Sequence, residues 1–205
     1  MKRTEIKAFI HAIRNNEQST VESMLREFPE LVSATAKSPP KKDDGQSPLQ
    51  IAFKSGNFSA AELLLRAGAN PNFMEESELN EWRAPVLHDA IRAAFFSSQT
   101  VEKELGRFER ARAILEMMLD KGADPNAVDT YGNSAGGRAV LDARMMIVNP
   151  KADLMNGILL TQVRSIFLLL AKHGADFQSK TETRGSVVDA LKNFRLEEHH
   201  LLPEG

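Results

Sequence analysis

The sequence contains no cysteine, a single tryptophan and a single tyrosine. The first absence excludes disulfides, thiolate catalysis and cysteine-ligated zinc, and leaves the redox compartment open. An excess of one charge sign is also missing. With 26 basic and 28 acidic residues the formal net charge is -2, which gives no global attraction to nucleic acid or to an anionic membrane. The densest apolar run, ILLTQVRSIFLLLA from Ile158 to Ala171, contains Gln162 and Arg164 and is too short to cross a bilayer. Charged residues interrupt every apolar run near the amino terminus before a signal-peptide core can form. A soluble, cytoplasmic chain of one domain is therefore expected, with no membrane association. Catalytic signatures are lacking too: no H-E-x-x-H, nucleophile elbow, P-loop or dinucleotide-binding glycine pattern occurs.

What is present is one phrase written three times. It reads LLLRAGANPN at Leu63–Asn72, MMLDKGADPN at Met117–Asn126 and LLAKHGADFQ at Leu169–Gln178, at intervals of 54 and 52 residues. In the first copy helix formers end at Gly68, which can adopt left-handed backbone, and Pro71 cannot continue a helix. The phrase is thus a helix carboxyl end with its exit turn. Before it, Ala60, Ala61, Leu64 and Leu65 recur at helical spacing, as do Ile114, Leu115, Met118 and Leu119, and Ile166, Phe167, Leu170 and Ala171. Upstream of the first copy, Ser47 can cap a helix, Pro48 fits its first turn, Leu49, Ala52 and Phe53 line one side, and Gly56 ends it.

Ser47-Pro48-Leu49-Gln50-Ile51-Ala52, followed by Gly68-Ala69-Asn70, resembles the ankyrin repeat. The resemblance implies an all-α solenoid of stacked helix-turn-helix units with projecting loops or short β-hairpin fingers. Its units fall at about 4–34 (a cap), 44–72, 83–126, 129–178 and an incomplete 184–200. In the fourth unit Gly136 and Gly137 stand where the pattern has leucine and histidine. His88 occupies the signature histidine, which in the family hydrogen-bonds locally and stiffens the turn. Asp124 and Asp176 match the family's exit-turn acid.

A unit of this kind has about 33 residues, so the two intervals leave excesses of about 21 and about 19: about 16 inside the third helix pair, about five in the preceding loop Asn70–Pro85, and about 19 inside the fourth helix pair. Both insertions keep helical periodicity. Val86, Leu87, Ala90, Ile91, Ala94 and Phe95 form one stripe, Ser97 and Ser98 a turn, and Val101, Leu105, Phe108, Ala111, Leu115 and Met118 another. The fourth unit breaks at Asn149-Pro150 and resumes with Met155, Leu159, Val163, Phe167 and Leu170, Gly157 marking a kink. Roughly two extra turns per helix, about 12 Å, should raise a ridge on the side opposite the fingers.

The resemblance places binding residues on the fingers and the concave face. Trp82 and Tyr131 fall in finger loops; Trp82 either anchors a partner or packs its own loop down, and Tyr131 is expected to be exposed. The second finger carries Glu75, Glu76, Glu78 and Glu81, and the first carries Lys37, Lys41 and Lys42 ahead of Asp43 and Asp44. Arg14, Lys54 and Arg92 each follow a motif alanine by two residues and would draw a cationic row, extended by Arg138 and Arg144. A solvated face explains the same row. If the row binds, an acidic protein surface is implied; nucleic acid is disfavoured, because the row is sparse and lacks interleaved aromatics.

A non-catalytic protein–protein interaction module, with no cofactor or metal, is the leading expectation. Its sharper form is an immunity or inhibitor protein, bacterial in look, that blocks a toxin or effector enzyme. Competing readings are an enzyme or small-ligand protein with a pocket between the extended helix pairs, and self-association through the ridge.

Overall fold

The computed structural model describes residues 2–99 and 105–203. The helices among them come in pairs: α1 (Arg3–Arg14) with α2 (Gln18–Glu27), α3 (Pro48–Lys54) with α4 (Phe58–Arg66), α5 (Val86–Phe96) with α6 (Leu105–Asp120), and α7 (Ala135–Ile147) with α8 (Ile158–Lys172). A short α9 (Val187–Asn193) and a 3-10 turn at Glu197–His199 follow. First helices pack in one row, α1 on α3, α3 on α5, α5 on α7 and α7 on α9; α2, α4, α6 and α8 form a second. An amphipathic pair cannot bury its apolar face alone, so each pair covers the next. The continuous core, including Phe9, Ile13, Leu64, Phe95, Leu115 and Phe167, lies between the rows. Among the described residues no helix is long and apolar enough to cross a membrane.

The repeated phrase closes the second helix in three pairs. Gly68, Gly122 and Gly174 take φ of 92°, 86° and 85°. This left-handed turn lets the next alanine reach back five residues: Ala69, Ala123 and Ala175 donate their N–H to the carbonyls of Leu64, Met118 and Leu170. Two residues after each glycine, the side chain of Asn70, Asp124 or Asp176 accepts from the backbone N–H two positions on, at 2.9, 2.8 and 2.8 Å. The exit-turn acids are therefore turn formers.

The last residue of the phrase joins the copies. The Asn72 amide donates to the Gly122 carbonyl at 2.8 Å and accepts from the Asp124 N–H at 2.7 Å. Asn126 repeats both bonds one unit later, to Gly174 at 2.9 Å and from Asp176 at 2.8 Å. Intervals of 54 and 52 residues in the chain thus become direct neighbours in space.

Much of the inserted length is helix. Against 7 residues in α3 and 9 in α4, α5 has 11 and α6 has 16, while α7 has 13 and α8 has 15. The excess of four to seven residues per helix adds about 6–10 Å at 1.5 Å per residue. The extended ends pack on each other: Phe95 meets Phe167 edge-on with centroids 6.4 Å apart, and the Gln99 N–H donates to Gln162 Oε1 at 2.8 Å. Two details differ from the sequence pattern. Met155 is 97% exposed in the turn before α8 and leaves the stripe. Gly157, at φ 72°, is the residue on which α8 begins, so it starts a helix and does not kink one. Val101 lies outside the described residues.

Because the asparagine supplies both a donor and an acceptor to the next unit, Asn126→Ala should lower stability by about 1 kcal/mol. Urea denaturation should show an earlier midpoint at unchanged slope.

Candidate functional site

The loops between pairs are strapped side to side. In the first, the Ala36 N–H donates to the Gln46 carbonyl and the Ala36 carbonyl accepts from the Gly45 N–H, while the Gly45 carbonyl accepts from the Glu76 N–H of the second finger at 2.9 Å. Ser77 Oγ donates to Asp44 Oδ2 at 3.0 Å across the same gap. The second finger closes on itself through the Met74–Pro85 bridge and the Glu75 N–H to Ala84 carbonyl bond. Thr130 ties the third finger to the second, accepting from the Arg83 N–H at 3.1 Å and donating to the Glu81 carbonyl at 3.0 Å. Thr183 Oγ1 and Arg184 Nε in the fourth both donate to the Tyr131 carbonyl.

Trp82 and Tyr131 part company in this frame. Trp82 is half-buried; its indole Nε1–H donates to Asp129 Oδ2 at 3.0 Å, and Lys54 Nζ lies 6.0 Å from its ring centroid. It packs the long second finger against the third. Tyr131 projects, 46% exposed, from a turn held by Asp129, whose Oδ1 accepts from the backbone N–H of both Tyr131 and Asn133 at 2.9 Å. Burial pushes the Asp129 carboxyl up, but the bonds from Trp82, Asn133 and Tyr131 outweigh it and hold the group below the usual carboxylate range.

The glutamates also divide. Glu76, Glu78 and Glu81 are exposed and have no ion-pair partner among the described residues. With Phe73, Met74 and Leu79 they line a broad concavity on the second finger. Glu75 departs from the expected set. It is 3% exposed, turned inward, with Oε2 3.6 Å from Lys54 Nζ.

The cationic row is largely matched from within. Arg14 pairs with buried Asp43. Lys54 lies between Glu75 and Asp89, 3.7 Å from the latter. Arg138 grips buried Asp142 with two bonds of 2.9 and 2.7 Å. It also stands out of register: it follows its cap Ser134 by four residues, where Lys54 follows Ser47 by seven, so Leu141 takes the lysine's place on the helix. Arg92 is exposed, its guanidinium 5.2 Å from the Phe96 ring centroid, and Arg144 stacks on Phe194 at 4.9 Å. The acids that match Arg14 and Lys54 are buried and distant in sequence; Arg138 and Asp142, four residues apart on one helix, are the pair among these that shows in the chain.

Two buried groups at the root of the second and third fingers have shifted protonation. His88 is 1% exposed, its ring nitrogens make no hydrogen bond of regular geometry, and the Ala127 carbonyl is the backbone acceptor that acts on it. Burial foremost, with Arg138 acting in the same direction against Asp129 and the Ala127 carbonyl, lowers its pKa to about 4. Burial raises Asp89 to about 6, opposed by Lys54 and by the Gln50 amide, which donates to Oδ2 at 3.0 Å. Among the described residues no group of three acidic or histidine side chains is placed to hold a metal ion.

The model of the ankyrin repeat matches residues 44–75, the stretch from the first finger through α3 and α4 to Glu75. No curated protein shows significant similarity to the chain.

His88 and Asp89 give opposite pH dependences. A histidine whose pKa falls on folding stabilises fully above its unfolded value of 6.5 and loses that contribution as pH falls through about 4. Its full extent is about 3 kcal/mol. Asp89, raised on folding, contributes below 3.8 and loses it as pH rises through about 6. Stability measured from pH 7 to pH 4 should therefore fall more steeply in Asp89→Asn than in wild type, and should flatten in His88→Gln.

Proposed function

From a chain that carries an ankyrin repeat within an all-helical stack, we propose a protein–protein interaction module whose partner docks on the second and third fingers. Ankyrin repeats are generally protein-interaction modules. The observation that carries the reading to this surface is the pairing of three exposed, unpaired glutamates, Glu76, Glu78 and Glu81, with exposed Tyr131 on fingers fixed by Asp129 and Thr130. A rigid aromatic loses little conformational entropy on contact, and fixed charges select the approach and register of the partner. Met74 and Leu79, 39% and 48% exposed, add apolar area to the glutamate finger.

This revises the chemistry of the partner. An acidic surface suits a free cationic row, but Arg14, Lys54 and Arg138 already face buried acids. The exposed charge on the second finger is negative, so the partner surface opposite it is basic and apolar. Trp82 supports the site from below without touching the partner.

Affinity capture with wild type beside Tyr131→Ala and a Glu76→Gln, Glu78→Gln, Glu81→Gln variant tests this. Both variants should lose the wild-type partner at least tenfold, while Leu168→Ser on the far row, at an exposed position of α8, retains it. Equal recovery by all four proteins would mean the fingers are not the docking surface.

A further inference from the structure

The second unit is short and the third is long, and the mismatch leaves a step. α3 ends at Lys54, and the turn Ser55-Gly56 leads to Asn57, which caps α4 by accepting from the Ala60 N–H at 3.0 Å and donates to the Ile13 carbonyl at 2.8 Å. α5 runs on beyond that level to Phe96. In the corner is a cavity of about 340 Å³, at the opposite end of α3 and α5 from the fingers.

Its walls are Phe53, Phe58, Ala93 and Phe96, and its charged residues are Lys54, Arg92, Arg107 and Asp89. Asp89 is 3% exposed and already shared between Lys54 and Gln50. The two arginines have no ion pair among the described residues; Arg92 only feels the fields of Asp89 and Asp142. Both are preset. Arg92 lies over the Phe96 ring, and Arg107 lies 5.7 Å from the Phe58 centroid. Gly56 makes room for the second guanidinium, since a Cβ there would come within 2.6 Å of its Nη2.

We propose that this step binds an acidic segment of a protein partner, a carboxylate between Arg92 and Arg107 with an adjoining apolar side chain against Phe58 and Phe96. Two guanidiniums held on aromatic faces, with no ion pair among the described residues, are suited to bidentate recognition of a carboxylate. The volume is room for about ten waters, more than a bare anion fills, and the apolar walls match the body of a peptide. The site lies apart from the fingers and stands whether or not they bind.

A displayed random dodecapeptide library panned on the whole protein is the probe. Enriched peptides should carry Asp or Glu beside an aromatic or aliphatic residue. Their Kd should weaken at least tenfold on Arg92→Gln, Arg107→Gln, on each single variant to a lesser degree, and when the peptide acid is replaced by its amide. Tyr131→Ala should leave it unchanged. Circular dichroism should show the variants folded, as the exposed position of Arg92 leads one to expect. Binding that survives the double variant or the amide replacement overturns the proposal. So does failure to enrich any peptide, or displacement by inorganic phosphate beyond that by sodium chloride of equal ionic strength, which would make this a bare-anion site. Peptides sensitive only to Tyr131→Ala would sink the step and leave the fingers standing.

Discussion

The stack depends on an asparagine amide that is at once donor and acceptor. Asn72 and Asn126 each close two bonds to the exit turn of the following unit, and only a turn with the left-handed glycine offers its carbonyl and the N–H two residues on in the matching arrangement. This explains why the glycine exit recurs in all three copies while the helices between them vary in length. These bonds fix the carboxyl ends of α4, α6 and α8, so residues added within those pairs extend them away from the fingers. The ridge, the contact of Phe95 with Phe167 and the step at Gly56 follow from that one constraint.

The fold was legible because its signals are local. Glycine exits, the cap at Ser47 and apolar stripes at helical spacing each act within a few residues, and the helices begin and end close to them. Met155 shows where locality misleads: it lies at stripe spacing from Leu159, yet Gly157 intervenes in left-handed backbone and the helix starts only after it. The asparagine bridge was hidden in plain view, since the terminal Asn of two copies is visible in the chain but its partner is one unit away.

The candidate site was harder to read because charge compensation is a long-range property. Lys54 and Asp89 are 35 positions apart, and Glu75 looks like its neighbours Glu76 and Glu78 until the finger folds and turns it inward. Alternation along the extended finger, with Glu75 and Ser77 in and Glu76 and Glu78 out, is the signal that separates them. Arg107 lies in the inserted segment, outside the repeat pattern that directed attention to the first helices. Trp82 could be placed only by its bond to Asp129, a residue of a different finger.

The inward matching of the row also governs how another molecule meets this one. A cation held against a buried acid acts at a distance as a dipole, whose field dies away well within the roughly 8 Å screening length of physiological salt. What reaches farther out is charge with no ion pair among the described residues, including exposed Glu76, Glu78 and Glu81 on the second finger, exposed Lys41 and Lys42 on the first, and the two arginines at the step. With so little net charge there is no general pull, and diffusional encounter gains little in frequency. It gains in orientation, because neighbouring patches of opposite sign turn an approaching surface before contact, and the molecule thereby favours correct encounters over numerous ones.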